Sequence, residues 1–454
     1  MKYSNITAAF VVLVMGAGLA GCLGIGETSP DMVSGSSIPK SHRMAMPSPV
    51  HAMAATAMDP VYRENYSAPD DNPVHRASAA PVSTFSIDVD TGAYANVRRH
   101  LNQGQLPPAD AVRVEELVNY FSYDYPTPND RETPFQASTE VVPTPWNANT
   151  YLMRIGVKAY DIDRSERPAA NLVFLLDVSG SMGRPDKLPL LKSAFKLLTE
   201  QLTENDRVSM VVYAGAAGVV LEPTAGDQKA TIRAALERLN AGGSTNGGQG
   251  IRLAYAMAQQ GFIEGGINRI ILATDGDMNV GVSDFDSLLD MVEKQRQGGV
   301  SLTTLGFGQG NYNDHLLEQA ANKGNGNHAY IDNLSEARKV LVEELSSTLF
   351  TVAKDVKIQV EFNPAQVAEY RLIGYENRML REEDFTNDKV DAGEIGAGHT
   401  VTALYEIATA ASDDMYTAVQ NQTAREMQND LVSQLTTALQ AMYPVTINQA
   451  ALAQ

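Results

Sequence analysis

The stretch Asn171-Leu172-Val173-Phe174-Leu175-Leu176-Asp177 decides the fold of this chain. An apolar run between two polar residues is typical of a central parallel strand that is covered on both faces. Downstream, strand-like segments alternate with segments whose apolar residues have helical spacing, which predicts an α/β domain with a doubly wound, mostly parallel sheet. The later predicted strands are residues 207–213, 268–274, 301–307 and 328–331.

Two further regions flank this α/β domain. Upstream, Phe85, Ile87 and Val89 alternate with polar residues as on a half-buried strand, and two short helical patterns follow. Downstream, residues 355–361 and 370–375 have the composition of strands. We therefore expect a small α+β region at 83–165, the α/β domain at 166–352, and a β-containing C-terminal region at 353–454.

Composition excludes several classes of function. The chain has 454 residues, a net charge of −19 and a single cysteine. This negative charge disfavours nucleic acid as a partner, because phosphate backbones attract basic surfaces. One cysteine permits neither an internal disulfide nor a zinc cluster of thiolates.

The single cysteine lies at the end of an N-terminal apolar run. Lys2 precedes the apolar run 6–20, which suits a secretory signal better than a membrane span. Leu19-Ala20-Gly21-Cys22 resembles the lipobox of bacterial lipoproteins. This resemblance implies a signal peptide at 1–21, a lipid on Cys22 and a location in the bacterial cell envelope. In a Gram-negative host it favours the periplasmic face of the outer membrane. The alternative is an ordinary signal peptide that contains a cysteine.

Residues 22–82 are rich in Pro, Ser, Ala, Met and Gly, without sustained periodicity, and we expect a disordered tether there. His42, His51 and His75 lie in this stretch, and solvated linker residues are the simplest interpretation of them. Asp88 and Asp90 could bind a metal, but we expect them to be acids that face solvent on a strand.

Small oxygen-bearing residues gather in three loops that follow or face the ends of the predicted strands. The first loop is 177–183, the second is 242–248 and the third is 273–277. Ligands of open α/β sheets bind at these carboxyl ends. Hydroxyl and carboxylate oxygens are ligands for Mg²⁺, Mn²⁺ or Ca²⁺ rather than for zinc or copper. Alternatively, the same residues could serve as turn residues and helix caps. The candidate ligands are Asp177, Ser179, Ser181, Thr245 and Asp275.

Together these five residues resemble the metal-ion-dependent adhesion site of the von Willebrand factor type A (VWA) domain. The pattern of that family is Asp-x-Ser-x-Ser, then a distant Thr and a distant Asp. The resemblance implies that Ser179, Ser181 and Thr245 bind the metal directly, and that Asp177 and Asp275 act mainly through water. It also implies Mg²⁺ as the cofactor, with Mn²⁺ or Ca²⁺ as alternatives, and a partner protein that supplies an acidic side chain to the open position.

More of the chain resembles the YfbK-type bacterial envelope lipoproteins. The motifs that carry this resemblance are Phe85-Ser-Ile-Asp-Val-Asp90, Val114-Glu-Glu-Leu-Val-Asn-Tyr-Phe121, Thr274-Asp-Gly-Asp277 and Gly306-Phe-Gly-Gln-Gly-Asn-Tyr312. In that family a von Willebrand factor N-terminal region precedes the VWA domain, and a domain of unknown function follows it. Residues 416–454 are polar and helical where more strands are usual, so we expect a truncated or diverged C-terminal domain.

Three interpretations of function follow, and an enzyme is the weakest. Ser179 to Gly183 approaches a nucleophile elbow but starts with Ser, and His100, His315 and His328 have no supporting motif. Gly306 to Gly310 lacks the spacing of a dinucleotide loop, and a Walker motif is absent. We therefore expect a binding protein without catalytic residues. An envelope assembly or scaffolding protein with a vestigial metal site is the alternative.

Overall fold

The computed structural model describes residues 64–66, 70–87, 90–128, 133–163, 166–245, 247–276, 285–344, 350–387, 390 and 392–410. Within these residues lie the α/β domain and two antiparallel sheets built from the flanking regions. Cys22, Asp88 and the predicted C-terminal helical stretch 416–454 lie outside the described residues. Within the described ranges no helix is both long enough and apolar enough to cross a membrane.

The α/β domain is built on a six-stranded sheet, and the predicted doubly wound fold is confirmed. The strands are β5 (Ala170–Asp177), β6 (Arg207–Tyr213), β7 (Ala217–Ala225), β8 (Ile267–Thr274), β9 (Ser301–Phe307) and β10 (His328–Ile331). Their spatial order is β10, β9, β8, β5, β6 and β7, and of these six only β7 runs antiparallel to its neighbour.

Helices cover both faces of this sheet, which is why the apolar run of β5 is fully buried. The helices are α3 (Leu188–Glu200), α4 (Lys229–Glu237), α5 (Gly247–Gln260), α6 (Phe285–Gln297), α7 (Asp314–Lys323) and α8 (Leu334–Arg338), the last continued by a π-helical turn (Lys339–Glu343). Leu172, Phe174 and Leu176 point into the cluster with α3, α4 and α8, whereas Val173 and Leu175 point into the cluster with α5, α6 and α7.

The N-terminal and C-terminal regions share two antiparallel sheets. One has the order β1, β12, β15, β4, β3, and the other has the order β13, β2, β11, β14. The N-terminal elements are β1 (His75–Arg76), β2 (Val82–Ser86), α1 (Gly92–Asn102), α2 (Val114–Asn119), β3 (Phe135–Pro143) and β4 (Thr150–Ala159). The C-terminal strands are β11 (Thr351–Glu361), β12 (Val367–Ile373), β13 (Met379–Leu380), β14 (Gly393–Gly396) and β15 (Thr400–Thr409).

A single apolar cluster joins these two sheets. Phe85 of β2 packs with Tyr375 and Tyr405, both of which come from the C-terminal region. The two flanking regions therefore fold around one core, an arrangement that the sequence did not predict because both partners of each pairing are far apart in the chain.

Part of the predicted tether is ordered. Glu64 accepts hydrogen bonds from Arg99 and from the backbone of Gly310 at 2.8 Å each, and the ring of His75 stacks on Tyr370. These contacts involve distant residues, so local composition could not indicate them. The expectation that Asp90 faces solvent is also wrong: Asp90 is buried, and its carboxylate accepts from Arg378 and from the backbone of His328.

Candidate metal centre

The three predicted loops meet at the carboxyl ends of the parallel strands. The first loop follows β5 and the third follows β8, and β5 and β8 are neighbours in the sheet. Two backbone hydrogen bonds tie the second loop to the first: Gly180 N donates to Gly243 O at 3.0 Å, and Gly242 N donates to Val178 O at 2.8 Å. Gly243 has a φ of +82°, a conformation that glycine adopts without strain.

Asp177 is the buried acid at the centre of these loops. Its Oδ1 accepts from the backbone of Ser179 at 2.8 Å, and its Oδ2 accepts from the hydroxyl of Thr274 at 2.9 Å. Burial raises the pKa of Asp177 to about 6, and the neighbouring Asp275 acts in the same direction, while hydrogen bonds from Ser179 and Thr274 oppose the rise. The negative charge of Asp177 is therefore poorly compensated by the protein itself.

Ser179 and Ser181 present two hydroxyls on one side of the first loop. Their Oγ atoms are 3.0 Å apart, which is close enough for both to approach one ion. Ser179 is buried and starts the 3₁₀ turn Gly180–Gly183, whereas Ser181 is exposed. The loop therefore has a buried inner hydroxyl and an outer hydroxyl that faces the surface.

Asp275 is fully buried and already has a cation beside it. Lys187 Nζ donates to Asp275 Oδ2 at 2.8 Å and to Asn311 Oδ1 at 3.0 Å, and the Lys187 side chain is almost fully buried. Gly308 makes room for this lysine, because a Cβ at that position would lie 2.3 Å from Lys187 Cγ. Sequence reasoning missed Lys187, since nothing in the local pattern marks it as part of the site.

Thr245 lies in the second loop and is buried. It comes two residues after Gly243, whose carbonyl contacts the first loop, and just before α5. The structure thus joins Asp177, Ser179 and Ser181 by hydrogen bonds, places Asp275 near Asp177, and brings the loop of Thr245 against the first loop. Thr274, which orients Asp177, was also missed, although its position next to Asp275 could have indicated it.

These residues fit a hard divalent cation. The donors are hydroxyl and carboxylate oxygens, the ligands that Mg²⁺ and Mn²⁺ prefer, and a cation would relieve the repulsion between Asp177 and Asp275. Within the described residues no group of three or more His, Cys, Asp and Glu side chains could hold a metal. A site here therefore depends on its hydroxyls.

The same geometry gives Ser179 and Ser181 no catalytic base. The hydroxyl of Ser179 contacts Ser181, whereas the ring of His328 contacts Tyr312 and Thr304 and the ring of His100 contacts Arg99. A nucleophilic serine needs a base within hydrogen-bond reach. Among the residues that the structure describes, no histidine is placed for that role.

Three family descriptions match the chain. "Von Willebrand factor" matches residues 60–154, "von Willebrand factor type A domain" matches residues 171–345, and "Uncharacterized protein YfbK, C-terminal" matches residues 347–443. The second match contains the whole α/β sheet from Asn171 onward, and with it all five candidate ligands.

Curated relatives and solved structures are similar to parts of the chain. Uncharacterized protein YfbK of Escherichia coli (strain K12) is 54% identical over 344 residues, covering 74% of this chain and 60% of that protein. Human inter-alpha-trypsin inhibitor heavy chain H3 is 26% identical over 259 residues, covering 52% of this chain and 28% of that protein. A solved von Willebrand factor type A protein from Catenulispora acidiphila has 17% identity and a TM-score of 0.39, covering 61% of this chain and 65% of that one.

The relatives' names describe no enzymatic activity, which agrees with a protein that is not an enzyme. The chain spans about 60% of the length of the YfbK relative. Three successive family matches and 54% identity to YfbK over most of the chain lead to one assignment. This chain belongs to the YfbK-like proteins that contain a von Willebrand factor type A domain.

Proposed function

We propose that this protein binds a partner protein through a divalent cation held by Asp177, Ser179, Ser181, Thr245 and Asp275. Membership in the VWA family supports a protein-interaction role in general. The finer proposal is that Mg²⁺, or else Mn²⁺ or Ca²⁺, bridges these residues to an acidic side chain of another envelope protein. The observation that carries it is the buried, poorly compensated Asp177 beside two hydroxyls.

The surroundings of the site support a contact with a large partner. Gly180, Ser181, Gly243 and Ser244 are all exposed, so the outer hydroxyl lies on an open rim. The candidate ligands on the inner side of the site are Asp177 and Ser179, which are buried. A cation bound between them would have its remaining coordination positions directed outward, where a carboxylate of a partner can replace water.

We also propose that a lipid on Cys22 anchors the protein in the bacterial cell envelope, on the periplasmic face of the outer membrane if the host is Gram-negative. The support is the position of the chain's single cysteine directly after an apolar run. Expression of a Cys22→Ser variant, followed by membrane fractionation and mass measurement, tests this. The variant should lose both the lipid mass and the membrane association.

Thermal unfolding with and without metal tests the binding site. We expect Mg²⁺ or Mn²⁺ to raise the midpoint of the wild-type protein and EDTA to reverse the rise, because a ligand that binds only the folded state stabilises it. At about 100 times Kd the gain is about 2.7 kcal/mol. Ser181→Ala should lose most of this gain. Ser193→Ala is a matched control, because Ser193 is a half-buried serine on α3 whose hydroxyl donates to the carbonyl of Pro189 in the same helix.

Two results would contradict the proposal. If metal does not change the unfolding midpoint of the wild type, the protein does not bind the proposed cation. If metal raises the midpoint of Ser181→Ala as much as that of the wild type, the cation binds at another site. A pull-down from envelope extract in Mg²⁺ or EDTA then tests the partner: the metal-bridged contact should be lost in EDTA and in the Ser181→Ala variant. Absence of both a metal effect and a metal-dependent partner would favour the scaffolding alternative with a vestigial site.

A further inference from the structure

A cavity of about 320 Å³ lies far from the candidate metal centre, at the other end of the α/β sheet. Arg269 is the third residue of β8, whereas Asp275 follows the last residue of the same strand. At about 3.3 Å per residue, the two sites are separated by about 20 Å. The cavity lies between one face of the sheet and residues of the N-terminal and C-terminal regions, such as Asn119 and His399.

Arg269 is the unusual residue in the wall of this cavity. It is 4% exposed; its Nη1 donates to Thr303 Oγ1 at 2.8 Å, and its Nε is shielded from solvent without a hydrogen-bond partner. Among the described residues no carboxylate lies within ion-pair distance of it. Burial lowers the pKa of Arg269 to about 10, so the guanidinium is still a cation at neutral pH.

A buried cation whose opposite charge, Glu394, lies beyond ion-pair distance is poorly compensated and therefore destabilising. The position also contradicts the pattern of its strand, because Arg269 and Ile271 lie on the same face of β8 and an apolar residue would satisfy the core. Stability alone therefore gives no account of an arginine here. An anion that enters the cavity would supply the missing charge and accept the unused N–H groups.

The other charged groups of the wall already have partners. Asp90 accepts from Arg378, Glu344 accepts from Lys339, and His328 contacts Asp314. Asp161 accepts from the backbone of Ile162, and Glu343 is exposed. Arg269 is thus the buried charged group of the wall that has no ion pair among the residues that the structure describes; Glu394 acts on its charge only from beyond ion-pair distance.

The rest of the wall defines the chemical class of the ligand. Phe121, Ile162 and Leu341 contribute accessible apolar surface, which suits an aliphatic body. The carboxylates of Asp161 and Glu344 would repel a doubly charged phosphate more strongly than a singly charged acid. The volume is at the small end of ligand pockets, which are about 300–1,000 Å³.

We propose that this cavity binds a short-chain aliphatic carboxylate, whose acid group pairs with Arg269 and whose chain contacts Phe121, Ile162 and Leu341. The site is independent of the metal centre and of the partner that the metal centre binds. The ligand would contact residues of all three regions of the chain, so its binding would stabilise their association.

Calorimetry and thermal unfolding of the full chain test the proposal, with hexanoate, hexylamine and inorganic phosphate as probes at equal ionic strength. Hexanoate should bind the wild type and raise its unfolding midpoint by a few degrees, whereas hexylamine should not. Arg269→Met should lose the hexanoate effect. Its unfolding midpoint without ligand should equal or exceed that of the wild type, because an uncompensated charge has been removed. Arg207→Met is the matched control, because Arg207 is an exposed arginine at the start of β6 that does not line the cavity.

Several outcomes would overturn the proposal: no hexanoate binding to the wild type, an equal effect on Arg269→Met, or a larger effect of phosphate than of hexanoate. A large loss of stability in ligand-free Arg269→Met would show that the arginine has a structural role instead. If that variant does not fold, Arg269→Lys keeps the charge but loses the planar fork of donors. It should bind hexanoate at least fivefold more weakly, and equal binding would contradict the assigned contact.

Discussion

The candidate metal centre and the buried charges between the three regions of the chain differ in how they compensate their carboxylates. We call the second set the inter-region charge cluster; it contains Asp90, Arg113, Glu116, Asp314, Glu318, His328 and Arg378. In this cluster the carboxylates contact cations of the protein, often from another region. At the metal centre Asp275 contacts Lys187, whereas Asp177 accepts hydrogen bonds from the neutral donors Ser179 and Thr274.

This difference separates structural charges from charges that are available to a ligand. Arg113 lies near three glutamates, and Arg378 joins Asp90 to Glu318, so these contacts hold α2, α7 and the C-terminal region together. Within the described part of the chain no cationic side chain forms an ion pair with Asp177, and burial raises its pKa. Burial alone therefore does not mark a functional carboxylate; the absence of an internal cation is the more informative feature.

The largest effect should follow from breaking the inter-region charge cluster with Arg113→Met. The change removes the cation at 2.8 Å from Glu115 and one of the two cations at 3.4 Å from Glu318, while both acids remain buried. Breaking a buried pair from one side costs about 3–5 kcal/mol. Equilibrium unfolding in urea should show this loss both with and without metal.

Arg184→Met is the control for that experiment. Arg184 also contacts an acid, Asp186 at 3.2 Å, but its side chain is 51% exposed. An exposed pair contributes little, so we expect a change within about 0.5 kcal/mol. If Arg113→Met were equally mild, the cluster would not hold the regions together.

A smaller effect should appear in the pH dependence of stability. Burial opposes protonation of His328, but the hydrogen bond and charge of Asp314 outweigh it and raise the pKa of His328. Because the folded pKa lies above the unfolded one, this contribution is present below about pH 6.5 and is lost as the pH rises through the folded pKa. Burial also raises the pKa of Glu116, which gives a slope of the same sign.

His328→Gln should flatten this slope. The wild type should lose up to about 1.4 kcal/mol per pH unit more than the variant on going from pH 6 to pH 8, as measured by urea unfolding at several pH values. His315→Gln is the control, because His315 contacts Gln319 on its own helix. Equal slopes for wild type and His328→Gln would show that His328 does not take up a proton on folding.

The smallest expected effect concerns Lys187 at the metal centre. If the site binds a cation, the ammonium beside Asp275 opposes that cation electrostatically. Lys187→Met should therefore raise Mg²⁺ affinity about tenfold, which corresponds to about 1.4 kcal/mol, as measured by calorimetry. Lys192→Met, in α3, which begins directly after Lys187, should leave the affinity unchanged. A weaker affinity in Lys187→Met would mean that the lysine acts mainly by orienting Asp275.

Local patterns predicted the α/β domain well because its signals are local. The strands at 207–213, 301–307 and 328–331 have the predicted bounds, since each is a short apolar run between turn residues. The apolar spacing also predicts one helix at 334–350, whereas the structure has α8 at Leu334–Arg338 and then a π-helical turn at Lys339–Glu343. Residues 345–349 of that prediction lie outside the described residues. A π-helical turn leaves the apolar pattern nearly unchanged, so periodicity could not reveal it.

Features that depend on distant partners could not be predicted. The roles of Glu64, Asp90 and Lys187 arise from contacts with Arg99, Arg378 and Asp275, and each of these pairs is far apart in sequence. The five candidate ligands were identifiable because the spacing within Asp-x-Ser-x-Ser is local. Their function as ligands remains a prediction that the metal experiments test.

The pairing of β2 with β11 also has a consequence for biosynthesis. Thr84 of β2 contacts Gln359 of β11 across 275 residues of intervening chain. At about 5–20 residues per second, β2 is synthesised about 14–55 seconds before its partner. The strands of the VWA domain lie within that interval and can pair first. Throughout that delay β2 has an unpaired edge, the kind of surface that promotes aggregation, so newly made chains should need a holding chaperone most while the VWA domain is being synthesised.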